Sequence, residues 1–181
     1  MAEPVTLTEA KAQCRMENDN SDDTFITSLI APARAYVERV GRRLFVAGTR
    51  TETFNRFGDY LEIWRSPITA ITSVEYSTSD DPNDDAAYTG FVANLGFPAR
   101  ISPADGDEFP DLITGGTITV TYTAGAIDAA SEEYLIGKRA MLILIGHWFE
   151  FREAAAAGIV SNEIAFCISS LLDELRPISA Y

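Results

Sequence analysis

Few side chains in this sequence could do covalent or acid–base chemistry, and their surroundings argue against it. The single histidine, His147, lies in the middle of an apolar stretch. Any Ser-His-Asp or Cys-His site would have to use it. No serine sits in the G-x-S-x-G turn that exposes a nucleophile. The two cysteines, Cys14 and Cys167, each fall in an apolar periodic segment, where a reduced, packed thiol is the simplest reading. Asp80-Asp81 and Asp84-Asp85 are adjacent acids, but they lie in a polar stretch with no apolar frame to raise a carboxyl pKa.

Metal and phosphate chemistry are equally unsupported. There is no H-E-x-x-H, no C-x-x-C, and too few Cys and His for a zinc cluster. Gly137-Lys138 lacks the upstream glycine and strand of a phosphate-binding loop, and no G-x-G-x-x-G occurs. The acids of Asn18–Asp23 lack the D-x-[DN]-x-[DN]-G order and the distal Glu of a calcium loop. They read instead as cap and first-turn residues of a helix. No enzymatic activity and no cofactor are expected.

The elements that would hold any site begin with Ser131–Glu153, a helix apolar almost all round from Met141 to Phe149. Ser131 is its expected N-cap. A helix without a polar face must be enclosed by its own chain or by neighbouring subunits. Lys138, Arg139, Gly146 and His147 interrupt the apolar run, leaving it short of the roughly 20 residues of a membrane span. Met1–Thr6 lacks the basic and apolar regions of a secretory leader.

Three further helices are expected. Thr6-Leu7-Thr8-Glu9 fits a capping box opening a short helix to about Arg15. A second helix runs from about Asp22 to Arg43 on Phe25, Ile26, Leu29, Ile30, Ala33, Val37 and Val40. Pro32 should bend it, and Gly41 is its candidate C-cap, with Arg42 and Arg43 near the negative end of the helix dipole. After the small-residue segment 154–160, Ser161-Asn162-Glu163 starts a last helix that Arg176-Pro177 stops.

Between Leu44 and Ala130 the hydrophobic period becomes alternating. Thr49–Phe57 and Tyr60–Trp64 read as a hairpin around Gly58-Asp59. Ile71–Ser77, Tyr88–Leu95, Ala99–Ser102 and Gly116–Ala124 read as further strands. Ser79–Ala86 reads as an acidic tip and Pro103–Gly116 as a loop. The expected fold class is therefore α+β. A bundle of about four helices, two N-terminal and two C-terminal, carries an inserted antiparallel β module. Residues 1–43 and 131–176 form the helical core, 44–130 the insert, and 177–181 a short tail.

The net charge is −13, and the acids are concentrated in the insert, with 13 against 4 basic residues in 44–130. The remainder is closer to balance: 7 against 6 in residues 1–43 and 7 against 4 after Ala130. Such a balance argues against autonomous binding to nucleic acid or to anionic membranes. Trp148-Phe149-Glu150-Phe151-Arg152 covers more than one helix face, so part of it must meet another element or another subunit. Core and interface readings are both open for this cluster.

Taken in order, these segments resemble a known family. Glu3-Pro4-Val5-Thr6-Leu7-Thr8-Glu9-Ala10-Lys11-Ala12 with Arg15 is similar to the opening P-x-T-L-x-E-A-K-x-x-L-R of phage head–tail connector (adaptor) proteins. Cys14 stands where that pattern has leucine. Asp22-Asp23, Leu29-Ile30 and Ala33–Glu38 resemble its second helix, and Gly41-Arg42-Arg43-Leu44 its closing T-G-R-x-L. Pro32 departs from that helix pattern. Trp64–Ile68 with Ile71–Tyr76 resembles the family's P-x-x-x-V-x-S-V-x-Y hairpin, and Val120–Gly125 its V-x-Y-x-A-G strand end. Ala140–Glu153 resembles A-I-L-x-L-x-x-x-W-Y-E-x-R-E, and Leu171–Arg176 the terminal L-L-x-x-Y-R.

The resemblance implies a structural virion protein, assembled in the bacterial cytoplasm and located in the head–tail neck. It implies a ring of about twelve copies beneath the portal protein. The ring extends the DNA channel without binding DNA specifically and meets a stopper or tail-completion protein. It implies a portal-binding end at Arg176, Pro177, Ile178, Ser179, Ala180 and Tyr181. Subunit contacts are expected at Trp148, Phe149, Phe151, Arg152, Arg42 and Arg43. Tail-side loops are expected at Asp80, Asp81, Asp84, Asp85, Asp107 and Phe109. A stopper or tail-completion protein is the alternative reading.

Overall fold

The structure, a computed structural model, describes residues 2–78, 85–152 and 162–176, with side chains in the last segment from Cys167 onward. The chain forms two compact units: a helical one from residues 1–46 with 127–177, and a β unit from residues 47–126. The fold is mixed α+β, with four helices and antiparallel sheets among the described residues.

In the helical unit, α1 spans Leu7–Gln13, α2 Asp23–Gly41, α3 Glu132–Glu150 and α4 Asn162–Leu175. Helix α3 is the hub and touches each of the other three. Ala140, Met141, Leu144 and Ile145 on α3 are buried against Ile26, Ile30, Ala33 and Val37 of α2 and Ile168, Leu172 and Leu175 of α4. The cover is incomplete, because Leu135 is 58 % exposed. Thr6 forms the full capping box with Glu9, and Ser131 Oγ accepts from the Tyr134 N–H.

Glycine decides two of these contacts. Gly41 is the last residue of α2, not its cap. A Cβ there would meet Leu175 Cβ at 3.3 Å, so the bare backbone lets α4 approach α2. The left-handed cap position is taken by Arg42, with φ of 56°. At Gly137 a Cβ would lie 2.0 Å from Phe45 Cζ, so the ring fills the space a side chain would take. Helix α2 runs through Pro32, which is exposed, so the N–H that proline lacks would have faced the solvent side.

The acids at the start of α2 were expected to cap it, but their carboxylates are drawn to distant cations instead. Asp22 occupies the N-cap position of α2 without a side-chain cap bond, and its carboxylate pairs with Arg152 at 2.6 Å. Asp23 pairs at 2.7 Å with Lys11, whose ammonium also donates to Asn20. Glu38, 3 % exposed, accepts from the Phe45 backbone N–H and from Arg34, both at 2.9 Å. The segment Leu44–Val46 is thereby held with the helices. Ile127 joins it there, its N–H donating to the Leu44 carbonyl at 3.0 Å.

The β unit holds two antiparallel sheets. One has the order β1-β7-β3-β4, from Gly48–Phe54, Ile118–Ala124, Ile68–Ser77 and Asp85–Ala87. The other has the order β2-β6-β5, from Leu61–Ile63, Ala99–Pro103 and Phe91–Asn94. The expected hairpin of Thr49–Phe57 with Tyr60–Trp64 does not form. Strand β1 pairs instead with β7, in register from Gly48↔Ala124 to Phe54↔Ile118, and β2 pairs with β6. β7 is central and β-branched, burying Ile118, Val120, Tyr122 and Ala124 in strict alternation. The expected acidic tip ends earlier than its sequence suggests, because Asp85 and Ala86 already pair with Ser77 and Tyr76.

Candidate interaction surfaces

Most of the aromatic cluster at the end of α3 is engaged within the subunit. Phe149 packs against Phe25, ring centroids 6.2 Å apart. The Arg152 guanidinium lies 4.9 Å from the centroids of both rings while pairing with Asp22. That contact draws on charge and on the faces of both rings. Phe151 is different: it is 51 % exposed, touching His147 at a centroid distance of 5.1 Å. Trp148 is partly covered. Its Nε1 is buried without a hydrogen-bond partner among the described residues, as are both ring nitrogens of His147.

The basic residues at the other end of the bundle also act locally. Arg43 donates to Glu133 at 2.6 Å and to the Leu175 carbonyl at 3.2 Å, tying α3 and α4 to the end of α2. Arg176 donates to the Val40 carbonyl at 3.3 Å and pairs with Asp173. Arg42 is exposed. Pro177, Ile178, Ser179, Ala180 and Tyr181 lie outside the described residues, as do Asp80, Asp81 and Asp84.

In the β unit, the Pro103–Gly116 loop is pinned by its aromatic residue. Phe109 stacks on Phe57 at 4.6 Å and 18°, and Tyr88 lies 5.6 Å from it. The Tyr88 hydroxyl donates to the Gly90 carbonyl. Asp107 is exposed beside this cluster and, after burial, is the second influence that pushes the Tyr88 phenol up. The second sheet exposes a different aromatic set. Trp64 meets Phe97 edge-on at 5.6 Å, and Arg100 lies 4.7 Å over the Tyr60 ring while pairing with Glu62.

Sequence reasoning did not single out the polar recess beside β1. Arg50 and Glu52 alternate inward along β1 and meet Arg65 and Tyr122. Glu52 Oε1 accepts from Arg65 Nε at 2.9 Å and from the Tyr122 hydroxyl at 3.2 Å. Burial, reinforced by the Glu52 charge, pushes the Tyr122 phenol up to about 12. The signal was present: the period-two pattern puts Arg50 and Glu52 on the same side of their strand.

Residues 4–66 match the family described as phage gp6-like head-tail connector protein. No curated protein matches the chain significantly. Three solved structures share the fold over nearly its whole length. A chain in the neck of an empty gene transfer agent (GTA) particle, computed with C6 symmetry, aligns with a TM-score of 0.70 at 16 % identity, covering 100 % of this chain and 95 % of its own. A chain of the virion of a native GTA particle aligns at 0.67 and 16 %, covering 98 % and 92 %. A chain in the neck of a native GTA particle, computed with C12 symmetry, aligns at 0.61 and 17 %, covering 100 % and 94 %. Residues 4–66 thus carry the sequence pattern of the phage gp6-like head-tail connector family, and the chain as a whole shares its fold with these neck and virion chains.

Proposed function

We propose that this chain is a structural subunit of a virion neck, a head–tail connector that assembles as a closed ring beneath the portal. The ring extends the DNA channel and links the head to a stopper or tail-completion protein. The observation that carries this reading is the family match at residues 4–66 together with a fold shared end to end with a neck chain. The net charge of −13 suits the role, since a channel component that attracted DNA would retard its passage. No catalytic role is proposed.

We assign Phe151, Trp148 and the exposed Arg42 to contact with the neighbouring copy. Phe149, Arg43 and Arg152 support that surface from within the subunit. The loop carrying Asp107 and Phe109 is assigned to the tail side, and residues 177–181 to the portal. Co-expression with the portal protein, followed by electron microscopy, tests the assignment. Rings on the portal are expected, and a chain that never enters particles would sink it.

A further inference from the structure

We infer that the β units of successive copies pack sheet on sheet, the outer face of the three-stranded sheet in one copy against the outer face of the four-stranded sheet in the next. The inference rests on the ring reading above. Each sheet turns one face into the β unit. Ile63, Ala99 and Ile101 on the smaller sheet and Ile118, Val120 and Tyr122 on the larger are at most 1 % exposed. Side chains alternate along a strand, so the residues between these point outward, and the two outer faces lie on opposite sides of the unit.

The outer face of the larger sheet is built of threonine. Thr49, Thr51 and Thr53 of β1 lie opposite Thr123, Thr121 and Thr119 of β7. β3 extends the same three rows with Ala70, Ser73 and Glu75. Glu75, at the end of its row, is the one charge among the described residues that these three strands turn outward. The outer face of the smaller sheet is aromatic. Tyr60 and Trp64 flank β2 and Val92 lies on β5, and they are three of the six large hydrophobic side chains exposed among the described residues. The charges of this face, Glu62 and Arg100, pair with each other at 3.0 Å, and Arg100 also covers the Tyr60 ring.

Copies of a chain with a net charge of −13 repel one another wherever their acids meet. Residues 44–130 hold 13 acids against 4 basic residues, yet one outer face carries a single acid at its end and the other a closed ion pair. These faces are where two β units can meet without that cost. Exposed Tyr and Trp beside Arg are the side chains that anchor protein contacts, and a flat array of threonine methyls gives the rings area without desolvating a charge. Two unlike surfaces on opposite sides are what a head-to-tail ring uses, one for the copy before and one for the copy after. A single foreign partner would need only one. The occupant of the threonine face is therefore the Tyr60, Trp64 and Val92 face of a second copy.

The test cross-links the full chain assembled with its portal protein. In a parent with Cys14→Ala and Cys167→Ala, Thr121→Cys and Ser102→Cys place one thiol near the middle of each outer face. A short bismaleimide should join the double variant into a ladder of linked chains on a denaturing gel. Each single variant should stay monomeric, and a mixture of the two should stop at dimers. As a second measurement, Thr51→Glu/Thr121→Glu should weaken ring formation at least about tenfold at an unchanged melting temperature. Rings seen by electron microscopy without a ladder, or with dimers from Thr121→Cys alone, overturn the sheet contact and leave the ring reading standing. A parent that forms no rings overturns both. Intact rings in the Glu variant, with loss of the stopper or tail-completion protein, overturn the contact and assign the threonine face to that partner.

Discussion

Phe45 occupies the space that a side chain at position 137 would need: a Cβ on Gly137 would approach Phe45 Cζ to 2.0 Å. Phe45 is buried, and its backbone N–H is fixed by the Glu38 carboxylate, so the ring has little room to yield. Gly137→Ala is expected to destabilise the helical unit by about 1–3 kcal/mol or more. Chemical denaturation checks it, and the double variant with Phe45→Leu should recover part of the loss. An unchanged midpoint would mean that the ring moves freely.

Tyr122 makes stability fall at high pH. Its phenol titrates at about 12 when folded, above its ordinary value of 10. The fold therefore favours the neutral form, and that contribution is complete below pH 10. It is lost as the pH rises towards 12, because the unfolded chain ionises first. The loss amounts to about 2–3 kcal/mol. Between pH 9 and pH 11, Tyr122→Phe should show a distinctly shallower decline in unfolding free energy. Parallel declines would contradict the buried phenol.

Glu9 acts at the acid end. Its carboxylate pairs with Lys138 at 2.6 Å and accepts from the Thr6 backbone N–H, and these hold its pKa below the usual carboxylate value. The contribution is present above that usual value and disappears as the pH falls through the folded pKa. It is modest, because the side chain is half open to solvent. Glu9→Gln is expected to cost about 1 kcal/mol at pH 7 and nothing at pH 2, in keeping with the loss of a cap. Urea unfolding at the two pH values separates these outcomes.

Trp148 and Phe151 separate folding from assembly. With Trp148 only partly covered and Phe151 exposed, Phe151→Ser should leave the melting temperature within a degree or two while reducing ring formation on the portal. Trp148→Ala should cost less than the roughly 3–5 kcal/mol of a fully buried tryptophan. A collapse in stability for Phe151→Ser would return that residue to the subunit interior.

The helical half of the fold was legible because its signals are local. Thr6 with Glu9, Ser131 before Tyr134, and the Ile26–Val37 stripe each specify a cap or a face within a few residues. The β half was less so. Strand existence is written in alternation, but β1 finds its partner some 70 residues away in β7, across segments whose own pattern suggested a local hairpin. Gly41 was ambiguous for a related reason: a glycine near a helix end reads as a cap until the helix packed against it is known, and the ring that fills the space at Gly137 follows likewise only from the tertiary fold. The acids at 22 and 23 were correctly placed at a helix start, but their partners, Arg152 and Lys11, follow only from the tertiary fold. The aromatic cluster of α3 gave no sequence cue to separate the inward Phe149 from the exposed Phe151.

Deleting residues 177–181 tests the portal end. Arg176 is retained because it ties to Val40. The truncated chain should unfold at the same denaturant concentration as the full chain, and should bind the portal at least about tenfold more weakly if the tail docks there. Equal attachment would move the portal contact elsewhere.

Electron microscopy of the chain assembled with its portal protein tests the neck ring most directly. A closed ring of this chain coaxial with the portal is expected, with density for both the helical and the β units in every copy. Portal particles without the chain, or the chain bound in scattered single copies, would contradict it.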